Sequence, residues 1–209
     1  KRVIDGDTLE LEDGRKVRLA NINSPEKSSV SYKLSEDYLK EFEGETVQME
    51  NLGEDKYKRT LGRIYAPEYV NLDIVKLGFA SKFLVDEEEL DEFNKAERDA
   101  IENSRGIWRK SDYYGCFKTE IDKKAEKVVI ESRCGEMNIG NWQLKDESRK
   151  IYSFKNVSFF KIILHSTSGA DNKTDIFWGS EQNVWNNDRD SLYLFDRVGG
   201  LSHYESYGY

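Results

Sequence analysis

The patterning of apolar residues changes once along this 209-residue chain, and that change limits the folds open to it. Up to Gly106, alternating runs are interleaved with segments of helical period. Leu9 and Leu11 alternate with Glu10 and Glu12, and Val17 and Leu19 flank Arg18. Leu90, Phe93, Glu97, Ala100 and Ile101 recur at the three- and four-residue spacing of an amphipathic helix. Past Lys127 the helical period stops, and short apolar runs are separated by Gly, Asn, Asp and Ser. The reading is two domains, 1–110 and 128–209, joined by a polar connector over 111–127. A chain of this length has room for two cores.

The first domain reads as a small α+β unit, a barrel covered by helices. Residues 33–42 form a short helix closed by Gly44, and 46–50 and 63–65 are strand-like. Asn71 is placed to cap a helix with Leu72 and Val75 inward, ended by Gly78. At Asp13-Gly14 a long turn is expected, pairing Leu11 with Val17 and Leu9 with Leu19. The second domain reads as all-β. Its strands are expected at 128–131, 142–144, 151–154, 159–164, 191–195 and from about 201.

Composition narrows the chemistry. The chain carries 32 basic and 40 acidic residues, a net charge of −8, of which −6 belongs to residues 1–110. That balance argues against an electrostatic coat for nucleic acid, because neutralising phosphates needs clustered Lys and Arg. No apolar run reaches the ~18–20 residues of a membrane-spanning helix. His165, His203, Cys116 and Cys134 are the only His and Cys, so the first 115 residues have neither type. Chemistry there is left to carboxylates, Lys, Arg, Tyr or a hard metal ion bound through oxygen.

Three segments of the first domain supply that set. Asp5-Gly6-Asp7-Thr8 brackets a glycine with carboxylates at a strand start. Arg18-Leu19 runs through Asn23-Ser24-Pro25-Glu26 into a turn. Asp55-Lys56-Tyr57-Lys58-Arg59 is a basic turn leading into a strand. Phosphodiester hydrolysis uses such groups: a hard cation to offset phosphoryl charge, a carboxylate to take a proton from water, and Arg forks to bind phosphoryl oxygens. Singly, each segment also fits an ordinary turn or a solvated hairpin.

In combination and in this order, the three segments resemble the thermonuclease (staphylococcal-nuclease-like) family. That family's pattern is a D-G-D-T strand, an R-L-x-x-x-D-T-P-E strand exit and a D-x-Y-G-R turn. Val70-Asn71 with Leu72, Val75, Gly78 and Ala80, and Gly106-Ile107-Trp108, match further stretches, so the likeness covers about 2–109. It implies a five-stranded OB-fold barrel with three helices and calcium-dependent cleavage of DNA and RNA, leaving 3′-phosphates. Carried over by position, Asp7, Asn23 and the backbone carbonyl of Ser24 would ligate Ca2+, with Asp5 in its outer shell. Glu26 would be the general base, and Arg18 and Arg59 would hold the scissile phosphate. Lys56 and Tyr57 would contact a neighbouring phosphate. The rival reading is a binding module that recognises nucleic acid or protein without cutting it.

The departures are informative. Asn23 stands where the family has a metal carboxylate, Lys58 where it has a glycine, and Leu84–Asp86 where it has two stacking tyrosines. Strand parity also sets Asp7 and Arg18 on opposite sides of the hairpin, so a bulge or strong coiling at Gly6 is required.

In the second domain, Asn141-Trp142-Gln143-Leu144-Lys145-Asp146, Ile151-Tyr152-Ser153-Phe154, Asp175-Ile176-Phe177-Trp178-Gly179 and Val184-Trp185-Asn186-Asn187-Asp188-Arg189-Asp190 resemble a lamin-tail domain. That likeness implies an immunoglobulin-like β-sandwich that locates an enzyme on a surface, substrate or partner, and an extracellular or cell-envelope setting. Asn186, Asn187, Asp188 and Asp190 read as a structural turn, lacking EF-type spacing and its terminal Glu. His165 and His203 suggest no joint site. Whether Cys116 and Cys134 pair is open from spacing alone.

Overall fold

In a computed structural model the chain divides into two compact units, Lys1–Arg109 and Lys110–Tyr209. The structure describes every residue except Lys1, Ser28, Val30 and Arg149. Among the described residues, no helix is long and apolar enough to cross a membrane.

The first unit is built on a five-stranded sheet in the order β1-β2-β3-β6-β5. Its strands are β1 (Arg2–Asp5), β2 (Thr8–Glu10), β3 (Lys16–Leu19), β5 (Gln48–Glu54) and β6 (Thr60–Tyr65). A short β4 (Ile22–Asn23) pairs separately with β7 (Ser81–Lys82). Three helices complete the unit: α1 (Tyr32–Lys40), α2 (Val70–Lys76) and α3 (Leu90–Glu102). Helix α3 buries Phe93, Ala96, Glu97, Ala100 and Ile101, one face of a 3.6-residue period. On β6, Thr60, Gly62 and Ile64 turn to the core, so Leu61, Arg63 and Tyr65 face outward.

Two readings of this unit are corrected. The hairpin pairs Thr8 with Arg18, Leu9 with Val17 and Glu10 with Lys16, not Leu9 with Leu19. The cause is local: the Asp13 carboxylate accepts the Arg15 amide at 3.0 Å, and Gly14 takes a left-handed φ of 86°. Together they close the turn between Leu11 and Arg15. A two-residue slip preserves strand parity, so Val17 and Leu19 still reach the core. Asn71, in turn, does not cap a helix. Its side chain is fully buried, accepting the Ile64 amide at 3.0 Å and donating to the carbonyls of Ala20 and Gly62 at 2.9 Å each. It brackets β6, the exit of β3 and α2.

Among the described residues, the second unit carries ten strands: β8 (Phe117–Asp122), β9 (Lys127–Ser132), β10 (Met137–Asn138), β11 (Gln143–Lys145), β12 (Ile151–Ser153), β13 (Ser158–Phe159), β14 (Lys161–His165), β15 (Asp175–Phe177), β16 (Asp190–Phe195) and β17 (Leu201–Tyr207). They form four-stranded sheets β12-β11-β16-β17 and β15-β14-β9-β8, plus a β10-β13 pair. One apolar core draws on both sheets, with Leu144, Leu192 and Leu194 from one and Val128, Ile130, Ile162 and Leu164 from the other. Strand β8 falls inside 111–127, so that stretch is part of the sheet and not a free connector. The alternation of Phe117 and Thr119, buried, with Lys118 and Glu120, exposed, carries that strand. Cys116 and Cys134 form a disulfide. Asp190 is buried and accepts the amides of Asn186, Ser191 and Glu147, which makes Asn186–Asp190 a structural turn. Burial, ahead of the nearby Asp146 charge, pushes its carboxyl up to about 6. The two histidines lie apart, His165 on Asp175 at 2.9 Å and His203 on Thr119 at 2.8 Å.

Truncating Asn71 to Ala takes this partner from the Ile64 amide and the Ala20 carbonyl in the core, while the Gly62 carbonyl keeps the Ala20 amide at 3.0 Å. We expect Asn71→Ala to cost roughly 3 kcal/mol, at the upper end of the scale for buried unsatisfied groups. Chemical denaturation of the whole chain measures it, and a loss under about 1 kcal/mol contradicts the bracket.

Candidate active site

The site begins at the turn between β1 and β2. The β1–β2 register shifts between Val3 and Asp5, and Asp7 lies in the turn ahead of β2, not on the strand, so the parity of the β2–β3 pairing does not fix its side. Gly6 lies in the turn because a side chain there has no room. A Cβ would sit 2.4 Å from Ser35 Oγ of α1 and 2.9 Å from Ser24 Cβ. The chain then delivers Asp7, almost wholly buried, against Arg18 of β3 and Ser24 past β4.

Asp7 is the centre of the resulting network. Its Oδ1 faces Arg18 Nε at 3.2 Å and accepts Thr8 Oγ1 at 3.0 Å. Its Oδ2 accepts the Ser24 amide at 3.2 Å and the Ser24 hydroxyl at 3.0 Å. Thr8 Oγ1 in turn accepts Arg59 Nη1 at 3.2 Å. Asp7 thus binds Arg18 and Ser24 directly and Arg59 through Thr8, so four of the sequence candidates share one network, with Thr8 as a bridge that the sequence does not mark. Asn23 is buried beside Ser24 on β4. Glu26, past Pro25, is exposed.

The two arginines are held differently. Arg18 is buried, with Nη1 donating to Leu19 O at 2.5 Å and Nη2 to Ile22 O at 2.8 Å. It fastens the exit of β3 to β4. Arg59 has a side chain one quarter exposed, clamped by Asp55 Oδ2 at 2.8 Å from Nε and 2.7 Å from Nη2. Its Cζ lies 5.5 Å from the centre of the exposed Tyr57 ring, which Lys56 Nζ approaches to 5.1 Å. Burial raises the Asp55 carboxyl, but the Arg59 amide and guanidinium and the Tyr57 amide outweigh it and hold it below its ordinary value. The clamp is therefore present above the usual carboxylate range and lost as pH falls through that lowered value.

The residues present form an all-oxygen donor set. Among them, Asp5 and Asp7 are the carboxylates, and Asp5 accepts the Asp7 amide at 3.2 Å. Burial, then the Asp7 charge, raises the Asp5 carboxyl above its usual value. Among the described residues, no group of three or more His, Cys, Asp or Glu is disposed to hold a metal. A hard divalent cation there would have to draw on the Asp7 carboxylate and the neutral oxygens of Asn23 and Ser24, with Asp5 in its outer shell.

Charge around the site is uneven. Thr8, Arg18 and Leu61 lie in one row across β2, β3 and β6, and Arg63 is next along on the same face. Arg63 is ringed by Glu50 at 3.0 Å, Asp86 at 2.9 Å and Glu89 at 2.7 Å. Glu89 also accepts Asn21 Nδ2 at 2.5 Å. The acidic run before α3 thus serves to tie the β3–β4 corner to β6. No local signal marks it, because the partners are far apart in sequence.

This construction, a five-stranded sheet with three helices and an acid–arginine site at one end, defines a class. A model of the staphylococcal nuclease homologue family matches residues 16–110, which include Arg18, Asn23, Ser24, Glu26 and Arg59 but not Asp5 or Asp7. An uncharacterized endonuclease of Escherichia coli O157:H7 is 33% identical over 116 residues, covering 53% of this chain and 76% of that protein. Endonuclease YhcR of Bacillus subtilis is 29% identical over 136 residues, but only 11% of its length is covered. An uncharacterized endonuclease of Haemophilus influenzae is 39% identical over 85 residues, 48% of its length. The chain belongs to the staphylococcal nuclease homologue family, and its first unit is the OB-fold domain of that family.

The glycine that the family pattern has before Arg59 is Lys58 here, at a left-handed φ of 61°. The turn survives, with Lys58 N on Asp55 O at 2.9 Å. An L side chain in that region costs about 1–2 kcal/mol, part of which glycine returns as unfolded-state entropy. We expect Lys58→Gly to raise stability by up to about 1 kcal/mol in a denaturation series. An equal loss would show that Lys58 makes a compensating contact.

Proposed function

We propose that the first unit is a calcium-dependent endonuclease acting on DNA and RNA without regard to the sugar. The observation that carries this reading is the continuous network from Asp55 through Arg59, Thr8 and Asp7 to Arg18 and Ser24. It gathers, from separate segments, the acids and cations that phosphodiester hydrolysis needs. The endonuclease names of the relatives point the same way.

Asp7, with the side-chain oxygen of Asn23 and the backbone carbonyl of Ser24, would hold the calcium ion, with Asp5 in its outer shell. Bound there, it would offset charge on a non-bridging phosphoryl oxygen. The rest falls to the chain. Arg59, pre-aimed by the Asp55 clamp, presents its partly exposed guanidinium to the phosphoryl oxygens. Arg18 adds buried positive charge and holds the β3 exit to β4. Glu26, on the solvent side, takes a proton from the attacking water as the oxygen attacks phosphorus in line. The bond to the 5′-oxygen breaks, leaving a 3′-phosphate, a polarity that rests on family resemblance. Lys56 and Tyr57 meet a neighbouring phosphate.

Substrate preference follows from the ring around Arg63, where three carboxylates outnumber one guanidinium. It stands on the site face roughly 13 Å along β6 from Arg59, at ~3.3 Å per residue, and repels a phosphate chain extended that way. Short or single-stranded substrates that bend aside are favoured. The second unit is an immunoglobulin-like sandwich of lamin-tail type that localises the enzyme on a surface or partner. Its disulfide supports an extracellular or cell-envelope setting, where such bonds persist.

On single-stranded DNA with calcium, Glu26→Gln and Arg59→Ala should each lose at least ~10²-fold in rate. Losses under threefold remove those residues from the mechanism, and no product from the unaltered protein at micromolar concentration leaves only the binding-module reading. Asn23→Asp should tighten calcium in calorimetry by adding a ligand charge; unchanged affinity removes Asn23 from the site. Glu50→Gln with Asp86→Asn should speed cleavage of long single strands several-fold while leaving dinucleotides unaffected. An equal effect on both lengths overturns the repulsion argument.

A further inference from the structure

A buried ion pair that no step above uses lies directly behind the candidate site. Lys82 and Glu97 are both fully buried, with Nζ and Oε2 2.5 Å apart. The other carboxylate oxygen, Oε1, accepts the backbone amide of Lys82 at 3.0 Å. One carboxylate from α3 thus grips both the tip and the backbone of a single residue on β7.

What β7 holds is the catalytic corner. β4 pairs with β7 alone among the described strands, Ile22 opposite Lys82 and Asn23 opposite Ser81. Ser81 Oγ donates to Asn23 O at 3.1 Å, and the Phe83 amide to Asn21 O at 2.9 Å. The first residue past β4 is Ser24, whose amide and hydroxyl bind Asp7. A ladder only two residues long specifies its register weakly, and a slip of one residue would turn Asn23 to the opposite face.

A buried ion pair is a poor device for stability alone, since well-packed apolar groups of similar size are often as stable or more so. It is a good device for register, because in a dry interior each charge fixes the position of the other. We propose that Lys82 and Glu97 are positioning residues: the pair locks β7 to α3 and so fixes the β4 register that sets Ser24 on Asp7 with Asn23 beside it. The catalytic part of this rests on the nuclease reading, whereas the register lock does not.

Amide hydrogen exchange of the full chain separates the two. In the unaltered protein the Lys82, Phe83 and Ser24 amides should open as one unit with a common opening free energy. Replacing both charges, Lys82→Met with Glu97→Met, should keep the melting temperature within a few degrees. It should also speed Ser24 and Phe83 exchange at least tenfold relative to core amides such as Ile64. With oligonucleotide substrate, kcat should fall about tenfold while KM changes little. Ser24 exchange independent of Lys82 in the unaltered protein, or native Ser24 protection in the double variant, overturns the proposal. Faster Ser24 exchange without any nuclease activity in the unaltered protein would retain the register lock and discard the catalytic reading. The unaltered-protein measurement stands even if the double variant does not fold.

Discussion

The site hangs on the Asp7 carboxylate. Buried and charged, it has to be met by donors on both oxygens. Those donors come from Thr8, Arg18 and Ser24, so satisfying one residue brings the hairpin and the β3 exit together. Thr8 extends the network to Arg59 and the turn at Asp55. The bulge in β1 and the absent side chain at Gly6 permit Asp7 to reach inward at all. The geometry of the site is thus a consequence of placing one anion in a dry corner.

Other buried polar groups act similarly at greater range. Asn71 joins three elements through side-chain hydrogen bonds, and Glu97 grips Lys82 twice. Arg63 gathers Glu50, Asp86 and Glu89, and Glu89 reaches Asn21. Much of the first unit's surplus acid is therefore spent on internal cations and amides. The net charge of −8 describes the whole chain, and a site needing only a few placed cations tolerates it.

Periodicity made α3 and the alternation of β2, β3 and β6 legible from sequence, because those elements bury one face each. The motif residues from Asp7 to Arg59 were legible because short-range chemistry and family resemblance coincide in them. Register was not: the Asp13–Arg15 contact that closes the hairpin is a side-chain event that hydrophobic spacing does not record. Asn71 was misread for a related reason. Asn at a helix start suits a cap, and only the folded chain brings Ile64, Ala20 and Gly62 to it. Lys82 carried no signal, since an isolated lysine reads as surface until Glu97 is seen opposite it. In the second unit, β8 reads as linker in the sequence because its exposed Lys118 and Glu120 mask the buried Phe117 and Thr119.

The central claim is that the Asp7 network serves water attack on phosphorus. Hydrolysis of a single-stranded oligonucleotide in 18O-water, followed by mass analysis of the product ends, tests it most directly. The account predicts calcium-dependent cleavage, abolished by chelator, with one 18O in each newly formed 3′-phosphate. Products lacking the label, label on a 5′-phosphate, or cleavage indifferent to chelator would contradict it.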